Sequence, residues 1–174
     1  MSSATPPFTD LASDFESLGA TPENVDRLAR ELARTFGVRP DEVGLMRVVQ
    51  QQLVFFHPEK LQNVGSIPLN HRHSIAVRTV LSKKPELLNN FATTRHASVF
   101  ESVDLRRDAA PDSDSLARTI QKLMSAPVVG PEGVLGVIQV CRKGATPGEA
   151  GRDFSPADLR NLASIAEGLV KCFL

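Results

Sequence analysis

The chain has 174 residues, 41% hydrophobic and 23% charged, which is typical of one globular domain that buries its own core. Its 20 basic and 20 acidic residues balance, which argues against a nucleic-acid partner because phosphate binding requires a basic surface. No apolar run approaches the ~20 residues of a membrane helix and no secretory signal begins the chain, so we expect a cytoplasmic protein without a membrane partner.

Two helices are predicted at the N-terminus. Residues 9–18 form the first, since apolar side chains recur there at spacings of three and four. These side chains are Phe8, Leu11, Phe15 and Leu18. Thr21 and Pro22 then supply an N-cap and a first-position proline for a second helix, which ends before Gly37.

A β-hairpin is predicted after these helices. Residues 43–50 are rich in branched side chains, Gln51-Gln52 can reverse the chain, and residues 53–56 form a short hydrophobic strand. Residues 66–69 predict a brief edge strand, because the proline there has no N–H group to donate to a neighbouring strand.

The middle of the chain alternates short helices with polar turns. Residues 74–81 are predicted to be helical from their apolar spacing, residues 86–91 to be extended or turn-like, and residues 92–103 to be helical again. Residues 104–114 form the most polar segment, which predicts a loop.

A second hairpin and a final helix complete the pattern. Strands are predicted at residues 120–129 and 134–141, with a turn at residues 130–133. Residues 155–158, Ser-Pro-Ala-Asp, predict a capping box that opens the last helix. Helices at both ends and a hairpin on either side of an irregular middle indicate an α+β fold with a mostly antiparallel sheet.

The C-terminal half resembles the GAF domain family. The resemblance is carried by Lys122-Leu-Met-Ser-Ala-Pro-Val-Val, then Gly133-Val-Leu-Gly-Val-Ile-Gln-Val, then Phe154-Ser-Pro-Ala-Asp158 before the last helix. The segments 65–69, 74–81 and 86–91 also resemble the middle section of that family. The similar region covers about residues 23 to 173, most of the chain.

The resemblance implies a specific architecture. A GAF domain has a central antiparallel sheet of about six strands, with terminal helices on one face. Its ligand pocket lies on the other face, under short helices. We therefore expect an N-terminal lead-in and helix at residues 1–20 and a GAF-like domain at residues 21–174.

The resemblance also implies a function: a non-catalytic regulatory or sensory module that binds a small molecule and signals through a dimer or a partner. Cyclic-nucleotide-binding members carry an Asn-Lys-Phe-Asp-Glu-like motif, which this chain lacks. Bilin-binding members attach their chromophore through a cysteine next to a histidine. Here His96 lies between Arg95 and Ala97. The ligand and any cofactor therefore stay unidentified.

Two alternatives to a sensor remain open. One is a protein-interaction or dimerisation module whose pocket has degenerated and is filled by Phe side chains. The other is an enzyme similar to the free methionine sulfoxide reductases of this fold, which need a nucleophilic cysteine, a resolving cysteine and an acidic pocket. Cys141 is predicted on a strand and Cys172 near the end of a helix. Neither position shows the neighbouring cation or the helix N-terminus that would stabilise a thiolate, so we expect no catalytic residue.

The histidines raise the question of a metal site. His71 and His73 lie two residues apart, and His96 belongs to a second predicted helix. A third ligand would have to be His57 or Glu101, and no spacing of the HxxxH kind supports that set. We predict no metal site.

The polar run at residues 89–96 is the best candidate for a ligand site. It combines amides, hydroxyls, Arg95 and His96 with apolar neighbours, a mixture that suits recognition of a small polar ligand. Alternatively, its amides form a turn and its threonines cap the next helix. We predict a pocket under the middle helices with these lining residues: Arg78, Asn89, Asn90, His96, Phe100 and Met124.

The last helix predicts a homodimer. Its apolar residues recur at spacings of three and four, like a heptad seam, and the first helix repeats this rhythm. The residues of this seam are Leu159, Leu162, Ala166, Leu169 and Phe173. Alternatively, both helices cover their own sheet and use the same residues as core.

Overall fold

A computed structural model describes residues 6–62, 65–91 and 119–174 of the chain. Five α-helices lie in these ranges: α1 (Pro6–Leu18), α2 (Pro22–Phe36), α3 (Ile75–Ser82), α4 (Pro147–Ala150) and α5 (Pro156–Gly168). Six strands accompany them: β1 (Val43–Val49), β2 (Gln52–His57), β3 (Ser66–Pro68), β4 (Glu86–Leu88), β5 (Thr119–Gly130) and β6 (Gly133–Gly144). Single 3₁₀ turns occur at Pro40–Glu42, Glu59–Leu61 and Val170–Phe173. Among the described helices, none has the length and apolar character needed to cross a bilayer.

The six strands form one sheet in the order β3-β2-β1-β6-β5-β4. Each neighbouring pair is antiparallel, and the long hairpin of β5 and β6 lies at the centre of the order together with β1. The predicted α+β fold with a six-stranded antiparallel sheet is confirmed. The short strand that contains Pro68 is an edge strand, as its missing N–H group requires.

The terminal helices cover one face of the sheet, which we call the helix face. Helix α2 begins where the Thr21 side chain accepts a hydrogen bond from Asn24 N at 3.2 Å, and it ends at Gly37 in the left-handed conformation. Leu28 and Leu32 on its apolar side are fully buried against the sheet. Helix α5 begins with the predicted capping box, in which Ser155 and Asp158 exchange two hydrogen bonds of 2.8 and 3.1 Å.

Apart from Leu18, which is 69% exposed, the residues predicted to form a dimer seam belong instead to this core. In α1, Phe8, Leu11 and Phe15 are at most 4% exposed, and Leu162 and Leu169 are fully buried. Helix α5 ends at Gly168, and the following 3₁₀ turn directs its apolar side chains onto the sheet. An apolar stripe with helical spacing therefore covers the protomer's own sheet here, and the predicted seam is corrected to core. Homodimerisation itself stays a prediction.

Helix α3 packs on the opposite face of the sheet, which we call the α3 face. Its Ala76, Val77 and Val80 contact Met46 and Leu53 of the first hairpin. A short helix on this face agrees with the expected roof over a pocket. The helix predicted at residues 92–103 and the loop predicted at residues 104–114 lie outside the described residues.

Two local predictions differ from the structure. The first hairpin reverses at Gln50 and Gln51, which both have positive φ, rather than at Gln51 and Gln52. The final helix was expected to continue to its last apolar residue, but it changes into the 3₁₀ turn after Gly168. Tertiary packing overrides helical periodicity there, because the 3₁₀ turn buries Phe173 to 4% exposure.

Candidate functional site

A cavity of about 50 Å³ lies on the α3 face; we call it the sheet cavity. Four central strands supply its floor, and the 3₁₀ turn before β1 closes one end. The residues used below are Asp41, Glu42, Gly44, Phe55, Leu123, Gln139, Cys141 and Lys143. The space exists in part because Gly44 has no side chain. A Cβ there would meet Gln139 Cβ at 3.7 Å and Phe55 Cε1 at 3.8 Å, both ordinary contacts.

The polar group in the floor is the carboxamide of Gln139. It is 8% exposed, and its Nε2 donates to Ser125 Oγ at 3.4 Å. The Ser125 and Thr79 hydroxyls are 2.7 Å apart, and Thr79 Oγ1 donates to the Ile75 carbonyl at 2.8 Å. Because Thr79 uses its proton on that carbonyl, Ser125 must donate to Thr79. A buried chain of hydrogen bonds therefore runs from the cavity floor to helix α3.

This series of hydrogen bonds leaves the carboxamide oxygen of Gln139 available to a ligand. Within the described residues, the bond to Ser125 is the one hydrogen bond seen for its side chain. The carboxamide oxygen thus has both lone pairs available to a donor that enters the cavity.

The charged end of the cavity is engaged in structural contacts. Glu42 is 6% exposed and accepts hydrogen bonds from Lys143 N at 2.6 Å and Arg39 N at 2.9 Å. Lys143 Nζ lies 3.5 Å from the Asp41 carbonyl oxygen. These contacts join the 3₁₀ turn to β6 and fix the entrance of the cavity.

The two cysteines lie on opposite faces of the sheet. Cys141 is 6% exposed, lines the sheet cavity and belongs to the small cluster around Phe91. Cys172 is fully buried on the helix face, where burial raises the pKa of its thiol to about 12 and the Arg47 charge offsets this only partly. Both are thiols, and the sheet lies between them.

Three residues of the predicted ligand site lie away from the sheet cavity and have structural contacts. Arg78 forms an ion pair with Glu86. Asn89 donates to the Phe154 carbonyl at 3.0 Å and accepts from Phe154 N at 2.9 Å, which ties the turn after β4 to the start of α5. Asn90 lies in that turn and is exposed.

Of the other three predicted residues, only Met124 belongs to the described part of the chain. Met124 is fully buried on the helix face, whereas its neighbours Leu123 and Ser125 face α3. His96 and Phe100 lie outside the described residues. The predicted set therefore stays a prediction.

Sequence reasoning missed the residues that line the sheet cavity. One signal could have found Gln139: it is a polar residue within a hydrophobic strand, Val-Leu-Gly-Val-Ile-Gln-Val. Alternation along that strand places it on the face opposite Ile138. The contribution of Gly44 had no comparable signal, because it depends on the pairing of β1 with β6.

The histidines make other contacts. His57 Nε2 donates to the Pro40 carbonyl at 2.9 Å, and the rings of His71 and His73 meet edge to face with centroids 6.1 Å apart. The ranges that the structure describes contain no cluster of three or more His, Cys, Asp or Glu side chains arranged to hold a metal.

Comparison with known proteins identifies the fold. No protein-family model and no curated protein matches the chain. Among solved structures, the GAF domain of an Acinetobacter phosphoenolpyruvate-protein phosphotransferase is similar, with a TM-score of 0.63 and 14% identity over 96% of this chain and 90% of that one. A methyl-accepting chemotaxis protein fragment gives a TM-score of 0.64 and 12% identity over 93% of each chain.

Enzymes are also among the similar structures. The free methionine-R-sulfoxide reductase of Neisseria meningitidis, solved with its substrate, has a TM-score of 0.57 and 17% identity over 98% of this chain and 92% of that one. At these identities the comparisons show the fold alone. The chain has a GAF-like fold, which both GAF domains and reductases share.

Proposed function

We propose that this chain of GAF-like fold is a non-catalytic regulatory module that binds a small molecule in the sheet cavity. The observation that carries the proposal is the buried hydrogen-bond chain from Gln139 through Ser125 to Thr79. A ligand that donates to Gln139 changes the first link, and helix α3 lies at the other end. Occupancy of the cavity is thereby coupled to a helix on the surface of the sheet.

The size and lining of the cavity define the part of the ligand that enters it. Its walls are apolar at Phe55 and Leu123 and polar at Gln139, the mixture expected of a small-molecule site. A cavity of about 50 Å³ accepts only a few non-hydrogen atoms of a ligand. We expect the inserted group to be a small apolar moiety with one hydrogen-bond donor.

The main test is an NMR titration of the chain with a library of small amides and alcohols. We expect a subset to shift the amide signals of Gly44 and Gln139 and also that of Val77 in α3. Gln139→Met should abolish the α3 response. Gln121→Met is the matched control, since Gln121 is equally buried in the neighbouring strand but bonds to Gly144 and lies outside the cavity lining.

The small volume of the cavity favours a second candidate, a dimerisation or protein-interaction module with a degenerate pocket. The same titration separates the two functions. If no compound shifts the signals of Gly44 and Gln139, the sensor proposal is contradicted and the interaction module is supported.

A reductase is the remaining alternative, favoured by the similar enzyme structures. The separation of Cys141 and Cys172 by the sheet, and the raised pKa of Cys172, support the non-catalytic proposal because a resolving thiol must reach the nucleophile. We expect no thiol-dependent turnover of free methionine sulfoxide. Turnover by the wild-type chain that is lost in Cys141→Ser would contradict the proposal, and Cys172→Ala is the control.

A further inference from the structure

A second cavity, of about 340 Å³, lies on the helix face; we call it the helix cavity. It is bounded by the start of α2, by β1 and β2, and by the 3₁₀ turn after β2. Its lining includes Val25, Asp26, Arg47, Phe56, His57 and Glu59. Its volume falls within the ~300–1,000 Å³ typical of small-molecule sites.

Arg47 supplies a positive charge to this cavity. Its guanidinium lies 4.5 Å from the Phe56 ring centroid, and Nη2 donates to the Cys172 carbonyl at 3.0 Å. Its Nε is buried without a hydrogen-bond partner. In the described part of the chain, no carboxylate lies within 4.0 Å of Arg47. A half-buried guanidinium that has no carboxylate partner is available to pair with an anionic group of a ligand.

Glu59 supplies the opposite charge at the rim of the same cavity. It is exposed, and among the described residues it forms no ion pair. Its carboxylate is farther than ion-pair distance from Arg47, so the two charges do not neutralise each other directly. Asp26, the other acid of the lining, is already paired with Arg30.

Together these charges restrict the ligand. A simple anion would pair with Arg47 but be repelled by Glu59, and a simple cation would meet the reverse problem. A molecule that carries both a carboxylate and an ammonium satisfies both residues. The guanidinium fork suits a carboxylate, and Phe56 and Val25 offer an apolar wall beside it.

We propose that the helix cavity binds a free amino acid with an apolar side chain. Its carboxylate pairs with Arg47, its ammonium pairs with Glu59, and its side chain packs on Phe56 and Val25. The site lies on the opposite side of the sheet from the sheet cavity, so this inference does not depend on the proposed function.

Calorimetric titration with L-leucine tests the proposal. Two analogues serve as probes: 4-methylpentanoate, which lacks the ammonium, and 3-methylbutylamine, which lacks the carboxylate. We expect leucine to bind in a saturable way. The acid, which loses only the exposed pair with Glu59, should bind about three- to fivefold more weakly. The amine, which loses the hydrogen bonds to Arg47, should bind about tenfold more weakly or worse.

Variants of Glu59 and Arg47 test which residue binds the ammonium of the ligand and which binds its carboxylate. Glu59→Gln should weaken leucine about three- to fivefold, as expected for an exposed pair, without weakening 4-methylpentanoate. Arg47→Met should weaken leucine about tenfold or more without weakening the amine. Glu132→Gln, at the exposed tip of the second hairpin, is the control and should change nothing.

Two results would overturn the proposal. One is the absence of saturable binding of L-leucine, L-valine, L-methionine and L-phenylalanine to the wild-type chain at concentrations up to about 10 mM. The other is leucine affinity that is unchanged in Glu59→Gln. Because Glu59 is exposed, that variant keeps the test decisive even if Arg47→Met, which loses the bond to Cys172, does not fold.

Discussion

Two glycines in neighbouring central strands have different reasons for lacking a side chain. Gly136 in β6 faces the helix face, where an added Cβ would overlap the Met46 carbonyl oxygen and the Phe173 ring. Gly44 in β1 faces the sheet cavity, where the nearest atoms are at ordinary contact distance. One glycine allows close packing, and the other leaves an open space.

This difference predicts opposite results for the same substitution. Gly136→Ala should lower the free energy of unfolding by about 3 kcal/mol, because neither a backbone oxygen nor a packed ring can move away cheaply. Gly44→Ala should change it by less than about 1 kcal/mol while reducing cavity binding. Urea denaturation of both variants measures this, and equal losses would contradict the assignment.

His57 predicts a dependence of stability on pH. Burial lowers the pKa of its imidazole below the ordinary 6.5, and the hydrogen bond to Pro40 and the charge of Asp41 offset this only partly. The unfolded chain therefore takes up a proton at higher pH than the folded chain does. The neutral His57 imidazole therefore makes its full contribution to the free energy of unfolding above about pH 6.5. That contribution is lost as the pH falls toward the lower pKa of the folded state.

We expect the urea concentration at the midpoint of unfolding to decrease when the pH is lowered from 7.5 to 5.5. The decrease should be smaller in His57→Gln. Glutamine can still donate to the Pro40 carbonyl but does not titrate. His71→Gln, in the loop before α3, is the control. If the midpoint depends on pH equally in the wild type and in His57→Gln, another titrating group is responsible.

At the scale of the element, the capping box sets where α5 begins. The backbone N–H of Ser155 holds the pKa of the Asp158 carboxyl below its ordinary 3.8, and the Arg152 side chain contributes further. The charged form therefore stabilises the folded state above this ordinary value. Its contribution is lost as the pH falls through the folded pKa.

Asp158→Ala should lower the free energy of unfolding by about 1 kcal/mol at pH 7. The difference from the wild type should shrink below pH 3.8, where the carboxyl begins to take up a proton. Urea denaturation of the variant and the wild type at pH 7 and again below pH 3.8 measures this difference. Asp10→Asn, exposed on α1, should have little effect, and an equal loss there would point to net charge rather than capping.

Arg142 ties the end of α2 to the central sheet. The residue is 7% exposed, donates to the carbonyls of Phe36 at 2.8 Å and Gly37 at 3.1 Å, and lies 4.7 Å from the Phe154 ring centroid. A cation bonded to the last carbonyls of a helix also interacts favourably with the helix dipole. One side chain from β6 thus positions α2 and the segment before α5.

Arg142→Met should lower the free energy of unfolding by about 2 kcal/mol, because two charged hydrogen bonds are lost and two carbonyls lose their donors. Arg142→Lys should recover only part of the loss, since an ammonium cannot reproduce the fork. Denaturation of the two variants tests this order, and full recovery by lysine would contradict the role of the fork.

At the scale of the whole molecule, the terminal helices close the core instead of presenting a seam. Phe15 is 4% exposed and Leu169 is fully buried, whereas Leu18 at the end of α1 is 69% exposed. A homodimer is still our prediction, but its contacts would have to come from surface residues such as Leu18.

Phe15→Glu and Leu169→Glu should therefore unfold the chain rather than produce a folded monomer, because each buries a charge in the core. Leu18→Glu should stay folded. Circular dichroism with light scattering distinguishes these outcomes. If the wild type is a dimer and Leu169→Glu is a soluble, folded monomer, the assignment of Leu169 to the core is contradicted and the predicted dimer seam is supported.

The sequence by itself determined the local elements of this protein. The terminal helices, both hairpins, the edge strand with Pro68 and the capping box at Ser155 were all predicted within a few residues. Each depends on neighbours along the chain: helical spacing, alternation, caps and turn residues. The resemblance around Pro127 and Phe154 then indicated how these elements assemble.

Only the tertiary structure decided which residues line the cavities. It also decided that the apolar residues of the terminal helices pack in the core. Gly44 and Gln139 face each other across β1 and β6, and Arg47 lines a cavity with residues from α2. Sequence spacing also could not place Met124 on the helix face or distinguish a seam from a core. The reason is physical: strand register and helix docking bring together residues far apart in the chain, and no local pattern records which ones meet.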